Sequence, residues 1–102
     1  MAFSKIIAGT MTWGQWGKKC NSVEMIELME ACLNEGINTF DHADIYGDYS
    51  TEADFGKAFA ESKINREEIK LISKCGIQLV SESRGSALGH YDYSKNYIIS
   101  QA

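Results

Sequence analysis

Proline is missing altogether from this chain of 102 residues, where average usage of about 5% would supply roughly five. That absence alone decides nothing. Cysteine is scarce: Cys20, Cys32 and Cys75 include no CxxC pair. They are too few for a disulfide framework, so reduced thiols in a cytoplasmic protein are expected. No apolar run approaches the roughly 18 residues of a membrane span. The first five residues lack the basic stretch and long apolar core of a secretory signal. Positive charge is also short, with ten Lys and Arg against fourteen Asp and Glu for a net charge of −4. A nucleic-acid partner reached through bulk charge is thereby excluded, and no membrane partner is expected. What remains is 44% hydrophobic and 24% charged, the balance of a folded globular chain rather than a disordered or fibrous one.

Apolar periodicity then organises the chain. Lys5-Ile6-Ile7-Ala8 reads as a buried strand running into Gly9-Thr10 and an aromatic, glycine-rich loop, Met11 to Gly17. A helix follows, capped by Asn21 or Ser22, with Ile26, Met29 and Leu33 on one face and Met25, Leu28 and Cys32 widening it. Gly36 is its left-handed stop. Ile37 to Phe40 is a second strand, and Asp41 to Ser50 a polar loop. Thr51-x-x-Asp54 resembles a capping box opening a helix whose apolar face is Phe55, Ala58 and Phe59. Ile69 to Ser73 is a third strand, Ser81 to Asp92 a loop, and Ser94 the cap of a last helix from Lys95 to Ala102. Strands alternating with helices specify an α/β fold with parallel strands and right-handed crossovers, undivided by any linker.

In such folds ligands bind beyond the carboxyl ends of the strands. The first strand delivers Gly9 and Thr10, the second Asp41 with Tyr46 close behind, and the third Lys74. A free tyrosine has a pKa of about 10, too high for easy proton donation near neutrality. A lysine ammonium beside it favours the phenolate, and an aspartate holds that lysine charged and in place. Such a tyrosine can protonate a carbonyl oxygen while hydride adds to the carbon. Each residue also has a plain structural role: Asp41 in a turn, Tyr46 as a loop aromatic, Lys74 reaching into solvent. Only their occurrence together at consecutive strand exits brings the catalytic reading level with the plain one.

Those residues resemble a known pattern. Asp41-His42-Ala43-Asp44-Ile45-Tyr46-Gly47 resembles the D-x-A-x-x-Y-G signature of the aldo-keto reductases. Ile69 to Lys74 is similar to that family's following strand, Thr51-Glu52-Ala53-Asp54-Phe55-Gly56 to the stretch opening its second helix, and Gly9 to Gly14 to its first loop. The resemblance implies an NADPH-dependent reductase of a small-molecule aldehyde or ketone on a (β/α)8 TIM barrel. Residues 1–102 would then be the first three βα units of one barrel domain. It implies Tyr46 as general acid, Lys74 as the group favouring its phenolate, and Asp41 as partner of Lys74. Gly9, Thr10, Met11 and Asp41 would line the nicotinamide end of the cofactor. Trp13, with Tyr46, would bound the substrate. The absence of a GxGxxG fingerprint agrees with this family.

Departures follow from the same pattern. The family's catalytic histidine ends a fourth strand that this chain does not contain, and neither His42 nor His90 matches its position. The loops gripping the cofactor's phosphates are also absent. Three βα units leave an open sheet edge, so self-association of an incomplete barrel is expected. A non-catalytic fragment or a regulatory, binding member of the family is the alternative. More remote is a metal-dependent barrel hydrolase using Asp41, His42, Asp44, Asp48 or His90. No HxH or HExxH motif supports that reading, and no metal is assigned.

Overall fold

The computed structural model describes residues 2–79 and 89–101. Its centre is a parallel sheet of β1 (Ile7–Gly9), β2 (Thr39–Asp41) and β3 (Lys70–Ile72) in the order 1-2-3. Ile7, Thr39 and Lys70 share one register row, Ala8, Phe40 and Leu71 the next, and Gly9, Asp41 and Ile72 the last. Side chains alternate between faces along each strand. The middle row therefore points toward the helices, and Gly9 and Asp41 lie on the other face at the carboxyl end.

Helix α1 (Ser22–Asn34) begins where the sequence marks it. Asn21 Oδ1 accepts from Glu24 N at 2.8 Å and Glu24 Oε1 from Asn21 N at 3.0 Å, a reciprocal cap of the sort that stabilises a helix by about 1 kcal/mol. At the far end Gly36 N donates to Leu33 O and Ile37 N to Cys32 O, with Gly36 at φ 78°, which closes a Schellman turn. The buried face of α1 centres on Met25 and Met29, Leu28 is exposed, and Ile26, Cys32 and Leu33 flank the core. The expected stripe is one position too wide, since Leu28 stands at its exposed edge while α1 packs against α3.

Two local expectations change. The loop after β2 contains a tight turn, α2 (Tyr46–Tyr49), with Gly47 and Asp48 left-handed inside it, and α3 (Thr51–Glu61) follows one residue later. Ser50, the residue before α3, is already in a helical conformation with its N–H bonded to Tyr46 O. No free helix start exists for a Thr51 capping box. Instead Thr51 is fully buried, and its hydroxyl has no partner among the described residues. Phe55 and Ala58 carry the apolar face of α3 as expected. With Met25, Met29, Phe40 and Ile69 they form the core. Burying Phe40 completely contributes about 1.5–3 kcal/mol.

Beyond β3, a short hairpin replaces part of the expected loop. β4 (Ile77–Gln78) pairs antiparallel with β5 (His90–Tyr91). Two-residue strands carry no readable alternation, which is why the sequence shows none. Residues 81–88 of the expected loop lie outside the described residues, as does Ala102. Helix α4 (Lys95–Gln101) is capped by Ser94, whose Oγ accepts from Tyr97 N at 3.2 Å. Among the described residues no helix is long and apolar enough to cross a membrane.

Candidate active site

The carboxyl ends of β2 and β3 bring Asp41 and Lys74 together. Lys74 Nζ donates to Asp41 Oδ1 at 2.6 Å and to the His42 carbonyl oxygen at 2.8 Å. Neither side chain is deeply buried, at 49% exposed for Lys74 and 31% for Asp41. The same ammonium lies 5.5 Å from the centroid of the Tyr46 ring, within cation–π range. Partial burial pulls the Lys74 pKa down. The hydrogen bond to Asp41, with the electrostatic influence of Tyr46 and Asp41, outweighs that, so the pKa is raised. Lys74 is thus a firmly held cation beside a phenol.

The peptide that carries this pair is clamped from below. Thr10 is fully buried at the end of β1. Its N–H and its hydroxyl both donate to Asp41 O, at 3.1 and 2.9 Å. The hydroxyl proton being used there, His42 Nδ1, 3.0 Å from Thr10 Oγ1, carries the hydrogen and donates. His42 Nε2 is then a bare lone pair, buried with no partner among the described residues. The ring packs edge-on against Phe55 at 4.3 Å between centroids. Burial pushes His42 down to about 4, with the Asp41 carboxylate opposing and the Lys74 ammonium adding to the shift. His42 is a neutral structural imidazole whose backbone serves Lys74.

Tyr46 is placed by an unusual turn. Gly47, Asp48 and Tyr49 all have left-handed backbones, with φ of 65°, 54° and 70°. For the two non-glycine residues this costs roughly 1–2 kcal/mol each. Compensating bonds hold the turn: Ser50 Oγ to Gly47 O at 2.6 Å, Tyr49 N to Ile45 O, and Leu79 N to Tyr49 Oη at 2.9 Å. A Cβ on Gly47 would run into Thr51 Oγ1, and one on Gly14 would come within 2.5 Å of the same atom. Thr51 therefore locks the aromatic loop after β1 onto the turn after Tyr46.

The same loop brings a tryptophan to Tyr46. Trp16, half-exposed, lies 6.3 Å from the Tyr46 ring between centroids. Trp13, expected to bound the substrate, is partly buried and packs against Phe40 and Phe55, each at 6.1 Å, beside the core. Both tryptophans sit in one glycine-rich loop, and only their closeness to it was visible in the sequence. Met11 is exposed, and Gly9 has open space where a side chain would stand. Three of the five side chains weighed as metal ligands are engaged elsewhere. Asp41 holds Lys74, His42 holds Thr10, and Asp44 Oδ2 accepts from Gln101 Nε2 at 2.7 Å and Tyr97 Oη at 3.3 Å. Among the described residues no three metal-ligating side chains cluster.

Residues 5–102 match the model of the aldo/keto reductase family. The chain belongs to that family. An oxidoreductase of Bacillus subtilis, YcsN, is 43% identical over 97% of this chain, and the oxidoreductase YdhF of Escherichia coli is 34% identical over 98%. A 6-dehydroglucose reductase of Agrobacterium fabrum is 41% identical over 69% of the chain. A solved aldo-keto reductase structure from Pseudomonas aeruginosa superposes over 99% of the chain with a TM-score of 0.76 at 24% identity, a likeness of fold. The chain spans 33% of the length of the first two relatives and 35% of that structure. For an aldo-keto reductase chain, the three-stranded parallel sheet with α1 and α3 on one face is the corresponding part of the fold.

Proposed function

We propose that the protein carrying this chain reduces an aldehyde or ketone to an alcohol with NADPH, on a (β/α)8 barrel whose first three βα units are residues 1–102. The observation that supports this most is the Lys74 ammonium, held 2.6 Å from Asp41 and 5.5 Å from the Tyr46 ring centroid. Tyr46 donates its phenol proton to the carbonyl oxygen as the carbonyl carbon is reduced. The ammonium stabilises the negative charge left on the phenol oxygen, and a proton from water restores it. Asp41 keeps Lys74 charged and fixed in place.

The residues present suit the ring end of a nicotinamide cofactor. Gly9 leaves open space beside Asp41 on the free face of the sheet, and Met11 is exposed next to it. Thr10 is turned inward, its N–H and hydroxyl taken by Asp41 O and its carbonyl by Trp13 N. Thr10 thereby holds the Asp41 peptide in place beside that space. When bound, the reduced nicotinamide supplies the hydride.

The test is carbonyl-dependent oxidation of NADPH, with NADH in parallel, by the protein and its Tyr46→Phe variant. Turnover that drops at least a hundredfold in the variant is expected, because general acid catalysis contributes roughly 10²–10⁴-fold. Undiminished turnover in Tyr46→Phe would sink the mechanism.

A further inference from the structure

The segment after Lys74 carries a feature that the catalytic pair does not use. Tyr91 and Tyr93 are two apart in sequence, so an extended backbone puts both rings on one side. They stack at 6.0 Å between centroids with planes 19° apart, and both rings are largely exposed. Gly76 explains how Tyr93 reaches its place. At φ 124° its backbone is open only to glycine, and a Cβ there would stand 2.7 Å from the Tyr93 ring. The ring is thus seated directly on the main chain just past Lys74.

Besides the β4–β5 pairing, hydrogen bonds among the described residues hold the hairpin that presents this stack. Asp92 N donates to Gly76 O at 2.5 Å, Gln78 Nε2 to Asp92 Oδ2 at 2.7 Å, and Leu79 N to Tyr49 Oη at 2.9 Å. The last ties the hairpin to the left-handed turn that follows Tyr46. Between hairpin and signature loop lies a cavity of about 330 Å³, lined mainly by apolar surface from Ala43, Ile45, Ile77 and Tyr93 and reaching Tyr46 and Lys74. Its size sits at the lower end of small-ligand pockets, roughly 300–1,000 Å³.

We infer that this cavity is a substrate subsite for a flat ring, and that Tyr93, backed by Tyr91, is its specificity-determining wall. The inference rests on the carbonyl-reductase reading of Tyr46 and Lys74. Continuity with those two residues directs a carbonyl toward the phenol while its ring lies against Tyr93. Aryl aldehydes are then preferred over alkyl aldehydes, through ring-to-ring contact rather than through the Tyr93 hydroxyl.

Two measurements test it in the protein carrying this chain. The first is the ratio of kcat/KM for 4-fluorobenzaldehyde to that for butanal. It should fall about tenfold in Tyr93→Ala, less in Tyr91→Ala, and stay within about twofold of wild type in Tyr93→Phe. A ratio unchanged in Tyr93→Ala overturns the inference. The second needs no turnover: the ¹⁹F line of 4-fluorobenzaldehyde should broaden saturably with wild-type protein and stay sharp with Tyr93→Ala. Equal broadening by both proteins overturns the subsite. Broadening that depends on Tyr93 without any NADPH oxidation supports the subsite and sinks the reductase reading alone.

Discussion

Lys74 and Asp41 meet at 2.6 Å although 33 residues separate them in the chain. The contact exists because β2 and β3 are adjacent and parallel, so that their exits share one edge of the sheet. Against the lowering effect of partial burial, the hydrogen bond to Asp41 is the largest cause raising the Lys74 pKa. A raised lysine pKa keeps the charged form to higher pH, and that form is lost as pH rises through it. Asp41→Asn should therefore move the alkaline fall of kcat/KM to lower pH, besides lowering activity by about 10–100-fold. A profile whose alkaline limb does not move would show that Asp41 does not hold the Lys74 charge.

His42 gives the opposite sign of pH dependence. Its pKa is about 4 in the folded chain against an ordinary 6.5. Between those values the unfolded chain binds the proton and the folded one does not, so stability falls as pH drops from 6.5 toward 4. The limiting loss is about 3–4 kcal/mol at roughly 1.4 kcal/mol per pH unit. Urea denaturation at pH 7 and pH 4.5 should show a steeper acid loss for wild type than for His42→Gln. Equal losses would contradict a buried neutral imidazole.

The lock between the two loops makes a coupled prediction. Gly14→Ala should destabilise by about 1–3 kcal/mol through overpacking onto Thr51 Oγ1. Thr51→Ala removes the obstructing hydroxyl, which has no bond to lose. The double variant should then recover at least about 1 kcal/mol of the Gly14→Ala cost in a thermodynamic cycle. Simple additivity would mean that the two loops do not touch through this atom.

Asp44 joins the signature loop to the last helix. Its carboxylate accepts from Gln101 and Tyr97 of α4, and its N–H donates to Lys74 O at 3.0 Å. Replacing the side chain by alanine should loosen α4 while leaving the sheet intact. In hydrogen exchange of Asp44→Ala, amides of α4 should lose protection and those of β2 should keep theirs. Equal loss in both would assign Asp44 to the core instead.

Much of this was legible before any coordinates. Asn21 and Glu24 announce α1, Phe55 and Ala58 give α3 its buried face, and Asp41 and Lys74 stand where apolar runs stop. Those signals are local, set by spacing within one element. The Thr51 capping box misled because Ser50 before it is already helical, its N–H bonded to Tyr46 O across the left-handed residues 47–49. The Tyr91–Tyr93 stack was hidden because β5 ends at Tyr91 and is too short to show a period.

From sequence alone, then, come the alternation of strand and helix, the order of the strand exits and the family signature, because hydrophobic spacing and residue type carry them. Tertiary structure decided that Trp16 rather than Trp13 faces Tyr46, that His42 is buried neutral under the site, and that Tyr93 sits on Gly76. These depend on the direction in which loops leave the sheet. That direction is set by backbone handedness and by bonds between residues tens of positions apart, which no short window of sequence contains.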